Sequence, residues 1–395
     1  MTGTMETVGV VGLGRMGFDI AFLYARSGYR TLIYDVAEQA MRHIEERSNR
    51  AIARLERRNR ISKAEAARVK NGLVRVSGPA AMARAQLVTE AVAESLTTKK
   101  AVYRALRDGG FSGILTTNTS SLPRASLIAD GDYPSEKFAA AHFFNPVLYT
   151  QMVEVVRGDM SEPNYAALTA FLSTVGRKPV LTRDISGFVS NSVLMFYAVT
   201  ALRLLECGAG IESIDGTAKG LGALPPLFSL DSWKPSIVEH VTRAMCEFRG
   251  DDFLRSAKLL SALARRNPLF YVGEKPNPAI YDLVDNRRAA PAPAEVELAL
   301  LTSVRVAAAR TVELGESPAT VDLIAVEGLK FAEPPLATID ALGAARVLQD
   351  LQRLNDALSL GMPAPLLLRA MSEEKESFYK NGHANPWLSA RCPSG

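Results

Sequence analysis

The chain has 395 residues, and at 47% hydrophobic it can fill two or three packed cores. Its net charge of +4 is too small to mark a general nucleic-acid binder. Cys207, Cys246 and Cys392 form no CxxC pair and no metal spacing, so no metal site is expected, and a reducing, cytoplasmic setting is.

The amino-terminal residues run directly into a strand pattern, so no signal peptide is expected. Val8, Val10 and Val11 form the β-branched run of a buried parallel strand. Gly12, Gly14 and Gly17 follow in G-x-G-x-x-G spacing, and a helical pattern through Met16, Ile20, Leu23 and Tyr24 ends near Gly28. Gly12 permits the tight turn, Gly14 lets a pyrophosphate approach the backbone, and Gly17 lets helix and strand pack closely. The helix N-terminus offers unpaired N–H groups to that pyrophosphate. A second strand, Thr31 to Asp35, brings an acid 18 residues past Gly17, where a ribose would be gripped. A carboxylate there repels a 2′-phosphate, so the expected cofactor is NAD, held by Gly12, Gly14, Met16, Gly17 and Asp35.

Residues Glu38 to Asn71 read as an inserted helical pair broken near Ile61-Ser62, where Ser62 and Glu65 make a capping-box pattern. Its many arginines, Arg54, Arg57 and Arg58 among them, are either a solvated face or a shelf for a phosphorylated substrate. Strands are expected at 74–77, 87–92, 114–118, 138–144, 152–157 and 178–182, with helices at 95–107 and 163–175. This completes a Rossmann-type α/β domain over residues 1–186, after which helices replace strands.

The helical remainder repeats itself. Glu206, Gly208 and Asp215 recur as Glu313, Gly315 and Asp322 at an offset of 107 residues. Pro225-Pro226 and Asp231 recur as Pro334-Pro335 and Asp340 at an offset of 109. Two related all-α modules are expected, 187–290 and 291–395, joined by the Pro-rich segment 275–293. Two such units can pack face to face within one chain, so a monomer or a homodimer is expected. The apolar run from Val193 to Leu205 is too short to cross a bilayer, and no membrane partner is expected.

Four polar positions carry the chemistry. Ser120 follows Asn118 at the carboxyl end of a parallel strand, where open α/β sheets bind ligands. His142 and Glu154 lie on consecutive strands, and Asn191 opens the first helix of the next domain. Oxidation of a secondary alcohol by NAD needs a base, a donor to the forming carbonyl and a nicotinamide face. A histidine with a carboxylate partner fits the base. Taken singly, His142 reads equally as a core histidine and Asn191 as a helix cap. An acid inside the apolar run Met152 to Val156 is costly unless paired, which favours the His142–Glu154 pair.

The turn at Gly12–Gly17, Glu90-Ala-Val-Ala-Glu94, Asn118-Thr-Ser-Ser-Leu122, His142-Phe-Phe-Asn-Pro146, Glu154 and Gly187-Phe-Val-Ser-Asn191 resemble the 3-hydroxyacyl-CoA dehydrogenases from about residue 6 to 232. The resemblance implies His142 as catalytic base and Glu154 as its orienting partner. It also implies Ser120 and Asn191 on the substrate oxygen, with Asn118 and Glu90 lining the NAD site. The inserted helical pair then contacts coenzyme A, which gives Arg54, Arg57 and Arg58 a role. The second helical copy is similar to the last domain of multifunctional fatty-acid oxidation proteins. Three departures concern the substrate rather than the reaction: Phe18 after the third glycine, Gln151 before the Met-Val-Glu run, and Leu221 to Pro226 without a Gly-Pro pair. The expected activity is NAD-dependent interconversion of a 3-hydroxyacyl-CoA and a 3-oxoacyl-CoA. The alternatives are the same hydride transfer on an acyl-carrier-protein thioester, and a non-catalytic NAD/acyl-CoA binding protein.

Overall fold

The computed structural model describes residues 5–255, 257–284 and 289–392; residues 285–288 of the expected joining segment lie outside them. The backbone divides into two compact units, Met1–Asp184 and Ile185–Gly395.

The first unit is built on an eight-stranded sheet. Its strands are β1 (Thr7–Val11), β2 (Arg30–Tyr34), β3 (Leu73–Arg75), β4 (Leu87–Glu90), β5 (Ile114–Thr117), β6 (Phe138–Phe143), β7 (Met152–Val156) and β8 (Lys178–Leu181). Their spatial order is β3-β2-β1-β4-β5-β6-β7-β8, parallel throughout except for the antiparallel β6–β7 pair. The reversal of direction on the two sides of β1 opens a crevice at the carboxyl ends of β1 and β4. The helices are α1 (Arg15–Arg26), α2 (Glu38–Arg42), α3 (Ile44–Glu56), α4 (Lys63–Gly72), α5 (Leu96–Asp108), α6 (Arg124–Ile128) and α7 (Glu162–Thr174). Strands β4 to β7 are buried along their whole lengths, which explains their continuous apolar runs.

The inserted stretch after Asp35 is three helices rather than two. The chain breaks at Asn59, which has φ 53°, and restarts at Ser62. Ser62 and Glu65 form the reciprocal capping box, and Arg26 of α1 reaches Glu65 at 2.9 Å. Helix α4 packs along α1, so the insert is braced on the nucleotide fold.

The second unit runs through one set of elements twice. The first pass is α8 (Phe188–Glu206), α9 (Ile211–Gly220), α10 (Pro226–Trp233), α11 (Pro235–Arg249) and α12 (Lys258–Arg266), then a two-stranded hairpin at Tyr271–Pro276. The second is α13 (Pro293–Glu313), α14 (Pro318–Leu323), α15 (Pro335–Leu342), α16 (Ala344–Leu358) and α17 (Leu366–Glu374), then a hairpin at Tyr379–Ala384. The long helices α8 and α13 pack against each other. A π turn at Ile324–Gly328 adds a residue to a helical turn within the stretch where the offset grows from 107 to 109.

The repeated aspartates are braces. Asp215 accepts from the N–H groups of Leu227 and Phe228 and from the Tyr271 hydroxyl, each at 2.9 Å. Asp322 accepts from Leu336, Ala337 and the Tyr379 hydroxyl at 2.8, 3.2 and 2.8 Å. Asp231 holds the N–H groups of Phe270 and Tyr271, and Asp340 those of Phe378 and Tyr379. Each carboxylate thus ties a helix N-terminus or a hairpin into its own copy.

Helix α8 is longer than the apolar run expected at 193–205. Its 19 residues, with mean hydropathy 1.5, are long and apolar enough to cross a membrane by length and composition, and 83% of that window is buried inside the protein. Among the described residues no other helix meets that measure. Its polar positions are sparse because neighbouring helices cover it on most sides.

Candidate active site

The glycine turn has the geometry its spacing requires. Gly12 has φ 90°, and a Cβ there would come within 2.6 Å of the Ala91 and Val92 backbone. A Cβ on Gly17 would collide with the Gly12 carbonyl oxygen, whereas one on Gly14 would meet nothing within 4 Å. The open side of the turn is therefore at Gly14, the N-cap of α1, where a pyrophosphate would approach. Met16 lies half-buried in the first turn of that helix. Asp35 accepts from the Leu13 and Ala37 N–H groups at 2.6 and 2.8 Å, which orients its carboxylate at the carboxyl end of β2. A carboxylate has further lone pairs for ribose hydroxyls. The residues present fit NAD.

Arg47 was not singled out from sequence, yet it is part of this turn. Its Nη1 donates to the Leu13 carbonyl at 2.6 Å and its Nη2 to Gly14 at 3.0 Å, while its guanidinium lies 4.1 Å from the Phe18 ring centroid. Phe18, unusual after the third glycine, is thus the platform for an arginine from α3. Arg47, Arg50, Arg54 and Arg57 line a cleft of about 460 Å³ together with Phe18. Their spacing of three and four residues along one helix face is the signal that grouped them. Arg58 does not line that cleft; it meets the Tyr149 hydroxyl at 3.4 Å.

At the carboxyl ends of β4 and β5, two acids divide the work. Glu90 is fully buried, and its carboxylate accepts from Lys99 Nζ (2.9 Å), Tyr103 Oη (2.8 Å), Thr117 Oγ1 (2.7 Å) and Val92 N (2.7 Å). Its carboxylate is directed into this inner cluster, where it braces β4, β5 and α5. Glu94 accepts from the Ser120 and Ser121 N–H groups at 2.8 and 2.9 Å and from Thr119 Oγ1 at 2.6 Å. Burial works against ionisation of Glu94, but Lys99 at 3.3 Å and these hydrogen bonds hold its carboxyl at about 2. Burial alone would lower the Lys99 pKa; the two glutamates outweigh it and raise it. The turn carrying Ser120 is therefore fixed by Glu94, a role signalled only by a second acid four residues beyond Glu90.

Asn118 sits between the nucleotide half of the sheet and β6. Its Oδ1 accepts from the Phe143 N–H at 2.9 Å, next to His142. His142 and Glu154 are direct cross-strand partners in the antiparallel β6–β7 pair. His142 Nδ1 lies 3.3 Å from Glu154 Oε1, with Glu154 fully buried and His142 8% exposed. A carboxylate at Nδ1 selects the tautomer with its proton there, so the Nε2 lone pair can take a proton. Asn191 belongs to the second unit, in the first turn of α8. Among the described residues no group of three or more His, Cys, Asp or Glu could hold a metal ion.

Residues 7–185 match the 3-hydroxyacyl-CoA dehydrogenase NAD-binding domain family. A 3-hydroxybutyryl-CoA dehydrogenase from Mycobacterium tuberculosis is 33% identical over 222 residues, covering 54% of this chain and 77% of that protein. The chain belongs to the 3-hydroxyacyl-CoA dehydrogenase family. It is an NAD-dependent oxidoreductase. The fatty acid oxidation complex subunit alpha of Pseudomonas syringae pv. tomato is 29% identical over 410 residues, covering 95% of this chain and 56% of that protein. In this dehydrogenase the likeness therefore runs through both helical passes. The crystal structure of a 3-hydroxybutyryl-CoA dehydrogenase from Escherichia coli shares the fold, with a TM-score of 0.76 at 22% identity over 94% of this chain and 99% of that one.

Proposed function

We propose that this dehydrogenase interconverts a 3-hydroxyacyl-CoA and its 3-oxoacyl-CoA, with His142 as the acid–base residue. The observation that carries the reading is the buried His142–Glu154 pair opposite each other on β6 and β7. In the oxidative direction His142 Nε2 takes the 3-hydroxyl proton, and Glu154 stabilises the imidazolium that results. NAD, held at Gly12, Gly14, Met16, Gly17 and Asp35, would supply the acceptor for the hydride of C3. Ser120, on the turn set by Glu94, and Asn191 are read as the groups that bind the substrate oxygen. Asn118, which accepts from the Phe143 N–H beside His142, is read as lining the NAD site, with Glu90 supporting that side from within. The guanidinium cleft of Arg47, Arg50, Arg54 and Arg57 suits phosphate groups of coenzyme A, where bidentate donors bind best. Arg58, engaged with Tyr149, is left at the edge of that reading. Residues 187–290 and 291–395 are read as two copies of one helical module. The test is NADH consumption with acetoacetyl-CoA and with longer 3-oxoacyl-CoAs. Turnover supports the reading; its absence with every chain length contradicts it.

A further inference from the structure

The first helical copy contains a buried charged pair that the second copy lacks. Arg249 ends α11 and Asp251 follows it, with side chains 2% and 0% exposed and Nη2 2.7 Å from Oδ2. Arg310, from α13 in the second copy, brings Nε to 3.1 Å from Asp251 Oδ1 and is itself paired with Glu313 at 2.9 Å. Paired with Asp251, the Arg249 guanidinium also reaches the start of α8 through Nη1. That nitrogen donates to the Ser186 carbonyl at 3.1 Å and to Ser192 Oγ at 2.6 Å.

Those two contacts bracket the entry to α8. Between them the backbone passes through two left-handed residues, Gly187 at φ 82° and Phe188 at φ 53°. Such a conformation at a buried phenylalanine costs about 1 kcal/mol and persists only where its surroundings enforce it. The N-cap of α8 is Gly187, which carries no side chain, and Met245 packs so closely that a Cβ on Gly187 would come within 2.7 Å of its Sδ. Asn191 lies in the helical turn so shaped.

The second copy builds the same helices from apolar residues. At the offset of 107, Asn191 and Ser192 correspond to Leu298 and Ala299. At the offset of 109, Arg249 and Asp251 correspond to Leu358 and Leu360, both buried. Helix α13 begins conventionally, with Pro293 in its first turn. The ion cluster is therefore not a requirement of the helical framework. Burying such charges is costly, and apolar replacement of a whole cluster is often neutral or stabilising. The Arg310–Glu313 pair recurs as Arg203–Glu206, but the Arg249–Asp251 pair is retained only beside Asn191, which argues for a role there.

We propose that Arg249 is a positioning residue for the dehydrogenase reaction, clamping Ser186 and Ser192 so that Asn191 is held in register, and that the second copy contributes Arg310 to lock the clamp. This rests on the reading of Asn191 as a ligand of the substrate oxygen.

The test transplants the second copy's own solution. The variant Arg249→Leu/Asp251→Leu is made in the wild-type and Asn191→Ala backgrounds, and kcat, KM for NADH and melting are measured with acetoacetyl-CoA. The expected result is a folded protein whose kcat falls at least tenfold with the NADH KM within twofold. In the Asn191→Ala background the same substitutions change kcat less than twofold. Arg310→Gln, which leaves Arg249 and Asp251 in place, gives a smaller loss with the same dependence on Asn191. Unchanged kcat, or equal fold-losses in both backgrounds, overturns the proposal. Failure of the double variant to fold overturns its premise that the cluster is dispensable for the framework. An inactive wild type refutes the reading of Asn191 and this inference with it; an active wild type matched by its variants refutes this inference alone.

Discussion

The two helical copies share their braces and differ in their polar entries. Asp215 and Asp322 each hold two backbone N–H groups and one tyrosine hydroxyl, in the same places of the repeat. Asn191, Ser192, Arg249 and Asp251 have only Leu298, Ala299, Leu358 and Leu360 as counterparts. Duplication preserves what holds a module together, because both copies must fold. It does not preserve what serves a reaction, because only one copy needs to. On the proposed reading of Asn191 and Arg249, the repeat thus separates structural from functional residues within one chain.

The largest test of that separation lies outside the repeat. His142→Ala removes the acid–base group and is expected to lower kcat by about 10³-fold, within the usual range for such a group, with melting near that of the wild type. A loss of stability of comparable size would return His142 to the role of a core histidine.

Next come the shared braces. Asp215→Ala and Asp322→Ala each strand three donors, two of them backbone N–H groups, and are expected to cost on the order of 3 kcal/mol in denaturant unfolding. The cost is expected to be similar in the two copies, and kcat at a permissive temperature within a few-fold of wild type. A large cost at one aspartate and none at the other breaks the comparison.

A pH series sharpens the contrast at the Ser120 turn. The Glu94 carboxyl, held at about 2 against an ordinary value of 4.5, stabilises the fold above that ordinary value. Its contribution, on the order of 2–3 kcal/mol, fades as pH falls from about 4.5 to 2. Glu94→Gln is expected to unfold more easily than wild type at neutral pH, with the gap closing over that interval. Parallel stability curves for the two proteins contradict this.

The smallest expected effect is at the guanidinium cleft. Arg54→Gln/Arg57→Gln is expected to raise KM for a CoA thioester about fivefold, with kcat unchanged and with no effect on a substrate lacking the nucleotide handle. An equal rise on both substrates removes these arginines from coenzyme A recognition.

Much of this architecture was legible from residue patterns, for identifiable reasons. The strand–glycine turn–helix at Thr7–Gly28 is local and sterically demanding, so its spacing carries its geometry. The repeat was visible because Gly, Pro and Asp landmarks mark turns and braces. His142 and Glu154 were paired correctly because an acid in an apolar strand needs a partner, and the adjacent antiparallel strand supplies it. Residues whose partners lie far along the chain were missed. Arg47 reaches back to the Leu13 and Gly14 carbonyls, and Arg310 reaches Asp251 over 59 residues. Nothing local distinguishes such arginines from the solvated ones around them. The apolar run at 193–205 covers only part of α8 because Ser190, Asn191 and Ser192 interrupt it, although Ser190 and Ser192 are themselves buried in the packed helix.

The central claim is hydride transfer at C3 governed by His142. The most direct measurement follows label from deuterated NADH into the product of acetoacetyl-CoA reduction by mass spectrometry and NMR. The account predicts one deuterium, on C3, from wild-type protein, with incorporation by His142→Ala slowed about 10³-fold. Label at another carbon, or incorporation by His142→Ala at the wild-type rate, would contradict it.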